Sequence, residues 1–119
     1  MPILGYTETM KAQTTILNFD LIAHRFRVLG DGQRLHIIHV LKERQECSVG
    51  ELAQALQVAQ PGVSRHLALL LGAGLLRRRR AGNMAYFSIA APFVVELCEL
   101  MCDGMRSVIE QQVAAMGMA

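Results

Sequence analysis

Tryptophan is absent from this 119-residue chain, aromatic residues make up only 5%, and proline occurs three times. The 52% hydrophobic share therefore falls to Leu, Val, Ile, Ala and Met, a palette that suits helices better than a β-sandwich. No run approaches the roughly 18 uninterrupted apolar residues of a membrane span. Nor does the N-terminus pair a basic segment with an apolar stretch, so neither a membrane association nor an export signal is expected. Three cysteines, an odd number, do not make a disulfide framework. The expectation is a cytoplasmic protein whose Cys47, Cys98 and Cys102 are thiols. Also missing are a nucleophile–base–orienter set, a glycine-rich phosphate loop and a paired-acid site, so an enzyme is not expected. Histidine is scarce, with four copies. His36 and His39, three residues apart, have no carboxylate partner at a recognised metal-binding spacing. Met101, Met105, Met116 and Met118 read as adaptable apolar filler.

The length suits a single domain over residues 1–119, with residues 1–11 as a loose arm because they show no period. A chain of this size buries roughly 65% of its unfolded surface, enough for a core that needs no disulfide, metal or other cofactor to fold. So high an apolar share in so short a chain points to surface covered by a second copy. Net charge is only +2, so bulk charge does not announce a nucleic-acid binder. Its distribution does more. Four of the twelve Lys and Arg residues form the run Arg77-Arg78-Arg79-Arg80, while Glu96, Glu99 and Asp103 gather near the C-terminus.

Apolar spacing predicts a first helix from about Thr14 to Phe26. Gly30-Asp31-Gly32 breaks the pattern, and Asp31 is placed to cap a second helix running to about Arg44 with Leu35, Ile38 and Leu41 inward. Ser48 and Glu51 form a capping box that starts a short third helix, about Val49–Gln57. Pro61 suits the first turn of a fourth helix that runs to about Leu71 and stops at Gly72-Ala73-Gly74. Leu75–Arg79 and Met84–Ile89 read as strands around the turn formers Arg80-Ala81-Gly82-Asn83. Pro92 opens a last helix to about Ala115. The fold class is mainly α (α+β): a winged helix-turn-helix of five helices, with a two-stranded hairpin between the fourth and last.

The fourth helix carries the functional pattern. With Val63 at 0° and about 100° per residue, Leu67 falls near 40° and Leu70 near 340°, an inward stripe, while Arg65 falls near 200°. The outer face offers Gln60, Pro61, Gly62, Ser64, Arg65 and His66 in the N-terminal half, the part of such a helix that enters a major groove. Arg65 suits a guanine edge or a phosphate, Gln60 an adenine, and Ser64 either role. The arginine hairpin, with Asn83 in its turn, then reads as a wing. Alternation along a strand directs either Arg77 and Arg79 or Arg78 and Arg80 toward the duplex, not all four at once.

The segment from Glu51 to Leu67, with its Gln-Pro-x-Val-Ser-x-His-Leu string, closely resembles the helix-turn-helix of the ArsR/SmtB repressors. Ala73-Gly74-Leu75 followed by arginines, and Met84–Ile89 closing the hairpin, resemble it too. The resemblance spans about Phe26 to Cys102. It implies a homodimer joined through the first and last helices, bound to a palindromic double-stranded operator and released by an inducer. Two departures stand out: Ala59 occupies the family's usual serine N-cap, and Gln57 a common turn glycine. Ala68 and Leu69 add no basic side chain, which throws phosphate anchoring onto the wing.

The family's arsenic and cadmium sensors carry Cys-Val-Cys at the start of the third helix. Here Ser48 and Gly50 stand at the two ligand positions, with Cys47 one residue early. Its zinc and nickel sensors use Asp and His on the last helix, which here has no histidine. Cys98 and Cys102 instead sit four residues apart on one helical face. Such a pair suits a soft ion, As(III), Hg(II), Cd(II) or Cu(I), or a persulfide bridge, with Cys47 or a partner thiol completing a three-coordinate site. The same cysteines also continue the apolar stripe of Val94, Val95, Met105 and Ile109, so packing accounts for them equally well. Three functions stay open: a thiol-responsive repressor, a repressor with a non-thiol ligand or none, and a dimerising protein-interaction module.

Overall fold

The computed structural model describes residues 19–117. Helix α1 (Phe19–Leu29) and helix α2 (Gly32–Arg44) meet at a tight turn. Asp31 is extended there (φ −144°, ψ 130°), and its carboxylate accepts from the amides of Gln33 and Arg34 at 2.9 and 3.1 Å. Those bonds satisfy two of the amides that a helix start leaves unpaired. They hold the Asp31 carboxyl below the usual carboxylate range, the Arg34 amide contributing most.

Gln45 reverses the chain with φ 72°. The two-residue strand β1 (Cys47–Ser48) follows, and Ser48 doubles as N-cap of α3 (Val49–Leu56). Both halves of the capping box are present: Ser48 Oγ accepts from the Glu51 amide at 3.2 Å, and the Ser48 amide donates to Glu51 Oε1 at 2.8 Å. Helix α4 (Gln60–Gly72) packs across α3 through Val63, Leu67 and Leu70, which are fully buried with Leu52. Strands β2 (Leu76–Ala81) and β3 (Met84–Ile89) form the hairpin, and α5 (Pro92–Ala115) closes the order.

The sheet is three-stranded and antiparallel in the order β1-β3-β2. The sequence reading had only the hairpin, because two residues are too few to show a period of two. β1 lies against β3 with Cys47 opposite Phe87 and Ser48 opposite Tyr86. The hairpin strands run two residues beyond expectation on the β2 side, and the connection narrows to Gly82-Asn83. Gly82 has φ 64° while Asn83 is not left-handed, the pattern of a type II′ turn that matches the twist of the flanking strands.

The core gathers Val28 and Leu29 of α1, Ile37, Ile38, Val40 and Leu41 of α2, the α3–α4 stripe, Leu75, Leu76, Phe87 and Val94. Leu35 is not part of it, being 40% exposed. It lies about 60° around the helix from Ile38, away from Leu41, and so borders the gap toward α5. Helix α1 continues to Leu29, past the expected end at Phe26. The expected start at Thr14 and the arm over residues 1–11 lie outside the described residues. No helix among the described residues is long and apolar enough to cross a membrane.

A long apolar face is left bare. α5 buries only Val94 outright, while Leu100, Met101, Met105, Val108 and Ile109 are exposed, as are Phe19, Ile22 and Phe26 of α1.

Candidate DNA-binding surface and thiol-lined cavity

Helix α4 starts without help from a side chain. Ala59 is extended (φ −68°, ψ 144°) and makes no capping bond; only its carbonyl accepts, from Gly62 at 3.1 Å and Val63 at 3.3 Å. The turn before it places Gln57 in the left-handed region (φ 58°, ψ 46°), a conformation glycine adopts freely. Gln60, Pro61, Ser64 and Arg65 are exposed on the outer face, and Gly62 is half-buried. Gln60 leans over the start of α3, where a Cβ on Gly50 would lie 3.4 Å from its Nε2. Arg65 has no ion pair or hydrogen bond with any described residue, so its guanidinium is available.

His66 is occupied instead. Its Nε2 lies 2.9 Å from Gln33 Oε1 and its Nδ1 lies 3.1 Å from Arg34 Nη1. A guanidinium can only donate, so Nδ1 accepts and the ring proton sits on Nε2, donating to Gln33. Arg34 also donates through Nε to the Val28 carbonyl and through Nη2 to the Arg27 carbonyl at 3.5 Å. One side chain thus closes the C-terminus of α1 and ties the α1–α2 turn to α4. Sequence reading missed Gln33 and Arg34, because they meet His66 from 33 and 32 residues away.

The four wing arginines are all exposed but not equivalent. Paired residues of an antiparallel ladder share a face. Arg78 and Arg80 lie opposite Phe87 and Ala85, whereas Arg77 and Arg79 lie opposite Ser88 and Tyr86. Arg79 is held: Nε donates to Glu46 Oε2 at 3.0 Å, Nη2 to Oε1 at 2.7 Å, and the guanidinium stands 5.1 Å from the Tyr86 ring centroid. This fork holds the Glu46 carboxyl below its ordinary range. Arg77, Arg78 and Arg80 have no such bond or ion pair with any described residue. Glu46 was invisible as a partner until β1 placed it beside β3. Asn83 is exposed at the tip.

The cysteines divide into two environments. Cys47 is 1% exposed in the core, and burial, with Glu51 nearby, pushes its thiol pKa up. Cys98 is half-buried and Cys102 exposed, and both border a cavity of about 550 Å³ between α1, α2 and α5. Phe26, Leu29, Leu35, Ile38, Val95 and Leu97 give it apolar walls, and Lys42 and Glu99 stand at its edge as a 3.7 Å ion pair. Burial raises the Cys98 thiol pKa, and the neighbouring Cys102 adds to the rise. Cys47 does not line this space. No three His, Cys, Asp or Glu side chains among the described residues converge as a metal site.

Residues 31–78, from the Asp31 cap to the first wing arginines, match the model described as bacterial regulatory protein, arsR family. The SmtB homologue of Synechocystis, named a transcriptional repressor, is 30% identical over 108 residues, 88% of this chain and 81% of that one. The chain belongs to the ArsR/SmtB family. The arsenical resistance operon repressor of Escherichia coli, an ArsR/SmtB relative, is 39% identical over 74 residues. That alignment takes in 62% of this chain and 63% of the relative, so the chain spans just under two thirds of it. The solution structure of the homodimeric winged helix-turn-helix DNA-binding domain Mb0332 of Mycobacterium bovis superposes with a TM-score of 0.70. It is 28% identical, covering 86% of this chain and 90% of that one. The winged helix-turn-helix is thus the ArsR/SmtB fold, with α3 and α4 as its helix pair and β2–β3 as its wing.

Proposed function

We propose that this chain is a homodimeric transcriptional repressor. It holds a palindromic operator through α4 and the wing and lets go when a thiol-reactive inducer engages Cys98 and Cys102. The observation that carries DNA binding is a set of exposed cations with no ion pair or hydrogen bond to any described residue: Arg65 on the outer face of α4, and Arg77, Arg78 and Arg80 on the wing. Their exposed guanidiniums can donate to phosphate or to a guanine edge. In this reading Gln60, Ser64 and Arg65 address the major groove, Pro61 and Gly62 let the backbone approach closely, and Asn83 meets the backbone beside the wing. His66 serves from behind, fixing the angle of α4 through Gln33 and Arg34.

The relative named as homodimeric supports a dimer, and the bare apolar faces of α1 and α5 favour those helices as its seam. Support for the inducer comes from two thiols one helical turn apart at a cavity between α5 and the α1–α2 pair. Arg34 ties that same pair to α4, so a ligand that re-spaces α5 against α1 and α2 bears on the angle of the DNA helix. A coupling of about 1–3 kcal/mol would lower operator affinity roughly 5- to 150-fold. The named activity of the E. coli relative fits a soft metal or metalloid inducer; a reactive sulfur species acting on the same pair is the other member of the class. Buried Cys47 is assigned to packing.

The test selects operator fragments from genomic DNA with the reduced protein, then titrates arsenite, Cd(II) and a polysulfide against the complex. Release by one of them that is lost in Cys98→Ser/Cys102→Ser supports the proposal. Release that persists without the cysteines would assign the response to another ligand site.

A further inference from the structure

We propose that Arg34 is a positioning residue for operator binding: it sets the angle of α4 through the neutral imidazole of His66, and protonation of that imidazole releases the helix. This rests on the DNA-binding reading above and adds to it a dependence on pH.

Helix α4 needs such a tie. Its packing on α3 runs through Val63, Leu67 and Leu70, and apolar contact is non-directional, so the stripe alone leaves rotation about the helix axis weakly defined. Ala59 supplies no side-chain cap at the start of the helix. Among the described residues, the side-chain hydrogen bonds of α4 all run through His66. His66 directly follows Ser64 and Arg65, so a rotation allowed there re-aims the side chains assigned to DNA.

The tie works in one protonation state. Nδ1 accepts from Arg34 Nη1 at 3.1 Å, and Nε2 donates to Gln33 Oε1 at 2.9 Å. A second ring proton has to go onto Nδ1, where it meets a guanidinium that has only N–H groups to offer. The contact then sets donor against donor and cation against cation. The charged groups that meet the ring from the start of α2 pull in opposite directions. Arg34 opposes an imidazolium, whereas Asp31, whose Oδ1 lies 4.0 Å from Nε2, favours it. Acid therefore exchanges one partner for the other: the imidazolium turns to the Asp31 carboxylate. Arg34 keeps its bonds to the Val28 carbonyl and, at 3.5 Å, to the Arg27 carbonyl. It stays with the end of α1, and α4 loses its link to that end.

The sign of the effect is diagnostic. An imidazole ordinarily titrates near pH 6.5. Asp31 stays ionised through that range, because its carboxyl is held below the ordinary value. His24, His36 and His39 are exposed, and charge gained there would strengthen the hold on a polyanion. A loss of operator affinity in acid runs against that trend and points to His66. A proton that must leave before binding costs up to about tenfold in affinity per pH unit below the group's pKa.

The experiment uses the full-length reduced protein. Anisotropy of a labelled operator is read at about pH 7.5 and about pH 5.5 at fixed salt, while heteronuclear NMR of the DNA-free protein follows the His66 ring and the Arg34 guanidinium over the same range. Wild type should carry its ring proton on Nε2 at the higher pH and lose the Arg34 contact as the second proton arrives. Its operator affinity should fall by about fivefold or more at the lower pH. His66→Gln offers a neutral amide that both donates and accepts, so its affinity should be the same at both pH values. Arg34→Met has no contact to lose: it should bind weakly at the higher pH and fall no further, and it serves alone if circular dichroism shows His66→Gln unfolded. A wild-type affinity that holds level or rises in acid, although NMR shows the contact broken, would overturn this inference and leave the DNA-binding reading standing. An acid loss as large in His66→Gln or in Arg34→Met as in wild type would do the same. A contact that breaks as described, in a protein that retains no genomic DNA fragment at either pH, would overturn the DNA-binding reading and this inference with it.

Discussion

Replacing Arg78 or Arg80 with alanine should weaken DNA binding in a salt-dependent way that replacing Arg79 does not. Arg78 and Arg80 make no hydrogen bond or ion pair with any described residue and share the face of Phe87, while Arg79 is forked onto Glu46 through Nε and Nη2. Each phosphate neutralised by a protein cation adds about 0.9 to the slope of log affinity against log salt. A dimer presents two wings, so one substitution per chain removes two contacts and lowers the slope by about 1.8. A fourfold rise in salt, from about 50 to about 200 mM, should then shrink the wild-type advantage about 12-fold. Arg79→Ala should leave the slope nearly unchanged. Glu46→Gln, which loosens the fork, should steepen it. Fluorescence anisotropy of a labelled operator over a salt series reads the wild type and the four variants. Equal slope losses for Arg78→Ala and Arg79→Ala would show that the Glu46 fork opens on DNA, and the division of the wing into free and held arginines would be wrong.

Ala59→Ser should supply the missing cap on α4 and stabilise the protein by about 1 kcal/mol, seen as a higher Tm; an unchanged Tm would mean that the helix start is already satisfied by solvent. Val108→Asp, on the bare face of α5, should turn a dimer into a monomer in sedimentation and cost operator affinity with it, whereas an intact dimer would move the interface elsewhere. Asp31, Glu46 and Glu51 all have carboxyls held below their ordinary range. Their contribution is therefore present above the unfolded-state carboxylate pKa and is lost as pH falls through the lowered folded values. Tm should drop between about pH 5 and pH 2, and Asp31→Asn or Glu46→Gln should flatten that acid limb; a limb identical to wild type would contradict the assignment.

What the sequence made legible was local. The Asp31 cap, the Ser48–Glu51 box, the inward stripe of Val63, Leu67 and Leu70 and the hairpin around Gly82 each depend on residues within a few positions of one another. Turn and capping chemistry is written at that range. What escaped was decided by pairings across the chain. Strand β1 exists because β3 offers it an edge, and only then does Glu46 meet Arg79. His66, on the border of the outer face by its angle, turns out to be held by Gln33 and Arg34, since the α1–α2 turn passes beside α4. Leu35 fits an inward stripe on paper, yet α5 stands off far enough to leave a cavity there. Cys98 and Cys102 were found by their spacing; the space beside them was not.

The strand order β1-β3-β2 has one more consequence. β3 is paired on both sides and β1 has only two residues, so among the described residues β2 is the long open edge of the sheet. An unpaired edge invites another chain to extend the ladder, and closely packed like charges are a common deterrent. Arg77 to Arg80 lie along that edge, so two copies approaching strand to strand would bring eight guanidiniums together. The arginines proposed to serve a polyanion would therefore also deter the wing from adhering to its own kind. A chain stripped of them should lose solubility, seen as a lower saturation concentration than that of the intact chain.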